Sequence, residues 1–263
     1  MGGAIIELRE VGKSFDGGRS FAVDGVSLDV AEGEFVALVG ASGSGKTTTL
    51  KMINRLAEPD RGEVLVEGRP ASDVPAAELR RRIGYVFQGI GLFPHMSVAE
   101  NIGATPALLG WSRADIEART LELLDLVGLP RSYGARPPAA LSGGERQRVG
   151  VARALAARPK IVLMDEPFGA LDPVTRDGLG QAYRDLHERL GLTTVMVTHD
   201  MQEAILLADR IAVMGKGRLL AVGAPGELVA ASADPEVRAL MDMPRSQAAR
   251  VRMRLGEEGG GHG

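Results

Sequence analysis

The chain has 263 residues, with 31 Lys plus Arg against 34 Asp plus Glu and a formal net charge of −3 at pH 7. A composition of 44% apolar and 25% charged residues excludes a disordered chain, and the near-neutral balance argues against a dedicated nucleic-acid binder. With no cysteine there is no disulfide framework, thiolate metal site or cysteine nucleophile, and no apolar run approaches the roughly 20 residues that span a bilayer.

The chain opens without the basic segment and long apolar stretch of a signal peptide, so an intracellular protein is expected. Two β-rich stretches, at about 4–15 and 20–30, flank Asp16-Gly17-Gly18, which reads as a hairpin turn. Phe35-Val36-Ala37-Leu38-Val39 is a continuous apolar run, the pattern of a strand buried on both faces. A helix is expected over about 45–57, with Leu50, Ile53 and Leu56 on its apolar face, followed by a strand between Gly62 and Gly68. From about 89 to 158 the pattern is helical. Ser97 is a candidate N-cap with Glu100 three residues on, and Leu121, Leu124 and Val127 continue an apolar face to Gly128. Pro137-Pro138 then breaks the chain. Ile161–Met164 and Thr194–Val197 read as buried strands, with a helix between them carrying Leu179, Tyr183, Leu186 and Leu190. A hairpin over 211–222 turns at Gly215-Lys216-Gly217. Together these elements describe one α/β core with an inserted all-helical lobe, and a Gly/Glu/His tail over 256–263 is expected to be disordered.

Gly40-Ala41-Ser42-Gly43-Ser44-Gly45-Lys46-Thr47 is a glycine, four residues, then Gly-Lys-Thr, set between a buried strand and a periodic helix. Glycines let successive backbone N–H groups turn inward around a phosphate, and the helix N-terminus adds about half a positive charge. Gly40 through Thr48 are therefore candidate phosphate-binding residues, with Lys46 placed to reach the β/γ-phosphates and Thr47 to ligate Mg2+. A metal site of this kind needs a carboxylate at the end of another buried strand. Asp165 and Glu166 end the 161–164 strand, Asp165 for the metal and Glu166 to polarise an attacking water. Two acids ending a strand are also an ordinary solvated strand end; the phosphate loop tilts the reading toward chemistry.

Leu141-Ser142-Gly143-Gly144-Glu145, followed by Arg146-Gln147-Arg148, resembles the signature motif of the ABC ATPases and begins its Ser 23 residues before Asp165. Ser142-x-x-Glu145 is equally a capping box, and the two readings coexist, because a capped helix start after Gly-Gly is itself an anion site. The family's usual last residue is Gln, so Glu145 is a departure. Further motifs follow the family's order. Gln88, after Tyr85-Val86-Phe87, looks like the glutamine that senses Mg2+ and the attacking water; Ala170-Leu171-Asp172 looks like the D-loop; and Thr198-His199-Asp200 places His199 against the γ-phosphate. Phe15 falls where the family stacks an aromatic on adenine, or is an ordinary strand aromatic.

The resemblance covers about residues 4–225. It implies an α/β fold, a P-loop NTPase (RecA-like) core with an antiparallel β subdomain and an inserted all-helical subdomain at about 89–158. The ABC ATPase domain would span 4–232 and a short C-terminal extension 233–263. It implies ATP and Mg2+ as cofactors. Lys46, Gln88, Glu166 and His199 would be catalytic, and Thr47, Gln88 and Asp165 would hold the metal. Phe15, Gly40–Thr48, Ser142, Gly143, Gly144 and Asp172 would hold nucleotide, with Ser142–Gly144 completing a second subunit's site.

Within the family, Lys51-Met52-Ile53-Asn54-Arg55-Leu56, Ile90-Gly91-Leu92-Phe93-Pro94-His95-Met96 and Leu108-Leu109-Gly110-Trp111 look like the quaternary-amine importer ATPases. That likeness implies uptake of glycine betaine, choline or a similar solute, or failing that of a polyamine, sulfate, phosphonate or sugar. Expected partners are a second ATPase subunit, separate transmembrane permease subunits and, through them, an extracytoplasmic substrate-binding protein, with no nucleic acid. The place of work would be the cytoplasmic face of the membrane. Only about 35 residues follow the core, too few for the paired CBS module of many relatives. Phe87, Leu92, Phe93 and Pro94 form either a groove for a partner helix or packing inside the lobe. Arg238, Arg245, Arg250, Arg252 and Arg254 read as a solvated helix face.

Overall fold

A computed structural model describes residues 3–89, 91–231 and 234–255 of the protein. Its ten strands are β1 (Ala4–Lys13), β2 (Val23–Ala31), β3 (Phe35–Val39), β4 (Arg61–Val66), β5 (Arg69–Pro70), β6 (Ile83–Val86), β7 (Ile161–Asp165), β8 (Thr193–Val197), β9 (Arg210–Gly215) and β10 (Arg218–Gly223). The helices are α1 (Lys46–Ile53), α2 (Ala76–Arg82), α3 (Val98–Leu108), α4 (Arg113–Leu126), α5 (Gly143–Leu155), α6 (Pro173–Leu190), α7 (Met201–Leu207), α8 (Pro225–Ala231) and α9 (Pro235–Leu255).

The strands form two sheets. One is antiparallel, in the order β2-β1-β4-β5. The other runs β10-β9-β3-β8-β7-β6 and is parallel except for β10, which returns beside β9. All five residues of β3 are buried, because successive side chains point to opposite faces and both faces are covered. Phe35, Ala37 and Val39 join a core with α3–α7, while Val36 and Leu38 join the core shared with α1 and the antiparallel sheet. The expected α/β core with its helical insertion, α3 to α5, is the fold observed.

Two local expectations are corrected. Asp16-Gly17-Gly18 is not a tight hairpin turn but part of a longer loop, 14–22, organised by one side chain. The Asp16 carboxylate accepts from Ser20 N at 2.9 Å, Ser20 Oγ at 2.6 Å and Ser14 Oγ at 2.8 Å, and these bonds, Ser20's first, pull its pKa down to about 2. The first helix stops at Ile53, short of Leu56. Arg55 takes a left-handed φ of 58° and its guanidinium donates to the carbonyls of Ala71, Ser72 and Val74, which turns the chain away. The helix between β7 and β8 carries Leu179, Tyr183, Leu186 and Leu190 as expected, the last of them half exposed just before the left-handed cap at Gly191.

Ser97 caps α3 in a full capping box with Glu100, and the core is continuous through Leu123, Leu124 and Val127. The segment after residue 233 carries the 21-residue α9, whose Val237 and Met241 are buried in the same core as β3. The arginines at 238, 245, 250, 252 and 254 are exposed on it. Residues 256–263, expected to be disordered, lie outside the described residues, as does Ile90. No described helix is long and apolar enough to cross a membrane.

Candidate functional site

Four neighbouring parallel strands, β3, β8, β7 and β6, end on the same side of the sheet, and each delivers part of one cavity. The carboxyl ends of parallel strands are where open α/β sheets bind ligands. β3 runs into the Gly40–Gly45 loop, β7 ends at Asp165 and Glu166, β8 leads to Thr198-His199, and β6 leads to Phe87-Gln88. A cavity of about 510 Å³ is lined by Ser42–Thr48, Gln88, Glu166, His199 and Ala22. Glu166 and His199, 78 and 111 positions from Gln88 in sequence, meet it because the strand order sets β6, β7 and β8 side by side.

The loop's backbone requires glycine at its ends. Gly40 has φ 141° and Gly45 φ 98°, and a side chain would drive into the carbonyl oxygens of Met214 and Ala22 respectively. Gly217 N donates to Ser44 O at 3.2 Å, so the β9–β10 turn supports the loop from outside. Gly45 precedes the first residue of α1, which aims the helix N-terminus into the cavity. The Lys46 ammonium is buried, donating to Gly40 O at 2.8 Å and Ala41 O at 2.9 Å. Burial pushes its pKa down, opposed by Glu166 and Asp165. Ser44 Oγ is buried in the loop without a hydrogen-bond partner.

Thr47 Oγ1 donates to Asp165 Oδ1 at 2.8 Å. Burial raises the Asp165 carboxyl above its ordinary range, with the Thr47 bond, Lys51 and Lys46 acting against it. Glu166 turns off β7 with a left-handed φ of 49°, held by its N–H bond to Val197 O at 2.9 Å. Its Oε2 lies 3.6 Å from Nδ1 of His199, whose side chain is 66% exposed. A hydroxyl and a buried carboxylate are hard oxygen donors suited to Mg2+. Among the described residues no cluster of three His, Cys, Asp or Glu could cage a metal alone. Mg2+ characteristically binds through one or two carboxylates plus substrate phosphates, so the donor set fits Mg2+ carried with a nucleotide.

The other expected site residues lie apart from this cavity. Ser142 caps α5, with its Oγ accepting from Glu145 N at 3.2 Å, and Gly143 and Gly144 form the first turn. Asp172 caps α6, accepting from Thr175 N at 3.0 Å. Phe15 stands on the 14–22 loop, 71% exposed. Glu145 has work of its own: its carboxylate accepts from Ser142 N at 2.7 Å and Tyr133 Oη at 3.2 Å, and the Ser142 bonds hold its pKa down. Sequence reasoning left out Arg176, whose guanidinium reaches Leu171 O and Asp200 beside His199. An arginine four residues after an N-cap Asp is an ordinary helix residue by pattern, and only the fold shows what it joins.

Phe87 and Phe93 are 39% and 44% exposed. With Leu56, Tyr85, Leu108 and Arg153 they line a groove of about 490 Å³ between the sheet and the helical insertion. Leu92 turns the other way, against the core.

This sheet, with its glycine loop, paired acids and strand-end histidine around one cavity, defines a P-loop nucleotide-binding cassette. The chain belongs to the ABC transporter family, whose pattern matches residues 23–169. It is 48% identical to the choline transport ATP-binding protein OpuBA of Bacillus subtilis over 92% of this chain and 63% of that protein. It is 51% identical to the glycine betaine uptake system ATP-binding protein YehX of Escherichia coli, over 89% of this chain and 75% of that one. The structure also resembles the dimeric post-hydrolysis state of the ATP-binding cassette MJ0796 bound to ADP and Pi, with TM-score 0.78 and 35% identity over 83% of this chain and 98% of that one. The chain spans about 60% of the length of the first curated relatives it matches.

Proposed function

We propose that this chain is the ATP-hydrolysing subunit of an importer for a quaternary-amine osmoprotectant such as glycine betaine or choline. The observation that carries the hydrolytic reading is the convergence of Lys46, Thr47, Gln88, Glu166 and His199 on one cavity at four adjacent strand ends. The loop N–H groups and Lys46 would hold the phosphates, and Thr47 and Asp165 the Mg2+, which supplies charge neutralisation at the β- and γ-oxygens when bound. Glu166 would orient and polarise the attacking water, with Gln88 and His199 beside the γ-phosphate. Phe15 would stack on the adenine, a role that fits its exposure.

Ser142, Gly143, Gly144 and Asp172 lie outside the cavity of their own chain, which supports their completing the site of a second copy. That the structural neighbour is a dimeric cassette agrees with this. The Phe87–Phe93 groove suits an apolar helix of a permease subunit and would place the protein peripherally on the cytoplasmic face of the membrane, fed through the permease by an extracytoplasmic binding protein. The solute reading rests on kinship with the choline and glycine betaine proteins. Reconstitution with its permease and binding protein tests it: ATP turnover should rise with glycine betaine or choline. Stimulation by some other solute alone would overturn the substrate, and no MgATP turnover in any combination would overturn the hydrolytic reading.

A further inference from the structure

His199 has little to hold it in place. Its imidazole is largely exposed, and its acidic neighbour Glu166 Oε2 stands 3.6 Å away. The residues on either side are fixed instead. Asp200 N donates to Thr198 Oγ1 at 3.0 Å, and Thr198 Oγ1 donates to Glu203 Oε2 at 2.6 Å. One oxygen of Asp200 caps α7 through Gln202 N at 2.8 Å. Its other oxygen accepts from Nη1 of Arg176 at 3.3 Å. The same guanidinium donates through Nη2 to Leu171 O at 3.1 Å, and its Nε lies 3.6 Å from Glu203 Oε1. Leu171, in turn, packs so closely on α5 that a Cβ at Gly144 would stand 3.2 Å from its Cδ2.

We propose that Arg176 is a positioning residue, tying the Leu171–Asp172 turn and, through it, the start of α5 to the turn that carries His199. It is not among the residues that line the cavity. A planar fork holds its donors at separate, fixed positions and so spans a carbonyl and a carboxylate that lie apart, whereas an ammonium gathers its three donors on one atom and fits that spread less well. The link joins the group facing the chain's own γ-phosphate to the motif offered to a second copy, so each arriving partner fixes the histidine across the molecule. This rests on the roles given above to His199 and to Ser142–Gly144.

The test is steady-state ATPase of the full chain across wild type, His199→Ala, Arg176→Ala, Arg176→Lys, Asp200→Asn and the Arg176→Ala/Asp200→Asn double variant. Asparagine keeps the helix cap while losing the charge. Arg176→Ala should lower kcat about tenfold with KM for MgATP changed less than about twofold, and Arg176→Lys should recover only part of the loss. The double variant should be no slower than the worse single one, since both break one link. If Arg176→Ala does not fold, Arg176→Lys and Asp200→Asn carry the comparison. A normal rate for His199→Ala would defeat the underlying reading whatever Arg176 does. Slow His199→Ala with normal kcat in the Arg176 variants, a loss confined to KM, additive losses in the double variant, or full turnover with Arg176→Lys would overturn the proposal itself.

Discussion

Replacing Thr47 with valine keeps the shape of the side chain and removes one hydroxyl. That hydroxyl donates 2.8 Å to a carboxylate with 3% of its surface exposed, so its removal leaves a buried acceptor short of a donor. A hydrogen bond to a charged, buried acceptor contributes about 1.5–3 kcal/mol, and the nucleotide-free protein should lose that much stability at pH 8. The pH dependence has a definite sign. Burial already raises the Asp165 carboxyl, and the Thr47 bond acts against that rise, so the variant's carboxyl lies higher still. A group whose folded pKa is raised favours folding while protonated and loses that contribution as pH rises. The deficit of Thr47→Val is therefore smallest in acid and complete at neutral pH. Urea unfolding of both proteins at pH 5 and pH 8 measures it. An unchanged midpoint at pH 8, or a deficit that grows on acidification, refutes the reasoning. In parallel, the variant should lose Mg2+-dependent nucleotide binding while binding ATP in EDTA close to normally.

Glu166→Gln removes the water-polarising carboxylate and should cut turnover by about 10²–10⁴-fold while keeping MgATP binding; it should elute as a dimer in MgATP, and a monomer there counts against the shared site. Met241→Ala empties a fully buried place between α9 and the core and should cost about 2–5 kcal/mol in chemical denaturation, whereas an unchanged midpoint would mean α9 is a loose appendage. His187 is buried on α6 with Nδ1 3.0 Å from Thr194 Oγ1, and burial lowers its pKa below the ordinary 6.5. The unfolded chain takes up that proton first, so stability should fall as pH drops below about 6.5, by at most about 1.4 kcal/mol per pH unit, and His187→Gln should flatten the profile between pH 7.5 and 5.5.

The parts of the site legible in the sequence are those whose chemistry is carried by consecutive residues. The glycine loop and the Asp165-Glu166 pair announce themselves because a backbone cradle and a strand-end carboxylate need fixed residue types at fixed spacing. β3, β7 and β8 were readable for a related reason, as strands covered on both faces are apolar throughout. Pattern failed where one side chain overrides its neighbours. Arg55 ends α1 by reaching three carbonyls from a left-handed turn, and Asp16 gathers a loop where its glycines promised a tight turn. α9 was legible as a solvated arginine face, but its anchoring was not, because it buries little more than Val237 and Met241 in a run of arginines. Glu145 read only as a departure from the family's Gln, yet its carboxylate is occupied by Ser142 and Tyr133. That satisfaction depends on Tyr133, which lies on a short 3₁₀ turn that no periodicity marks.

The strand order also bears on how the chain comes off the ribosome. β3, the strand that carries the phosphate loop, pairs with β8 on one side and β9 on the other. Neither neighbour exists until roughly 150 residues more have been made, about 8–30 s at ordinary synthesis rates. Through that interval five consecutive apolar residues, Phe35–Val39, have no strand to pair with on either edge, a segment of the kind that holdase chaperones and aggregation compete for. Slowing translation before residue 193 should therefore lower the soluble yield of this protein more than slowing it after residue 215.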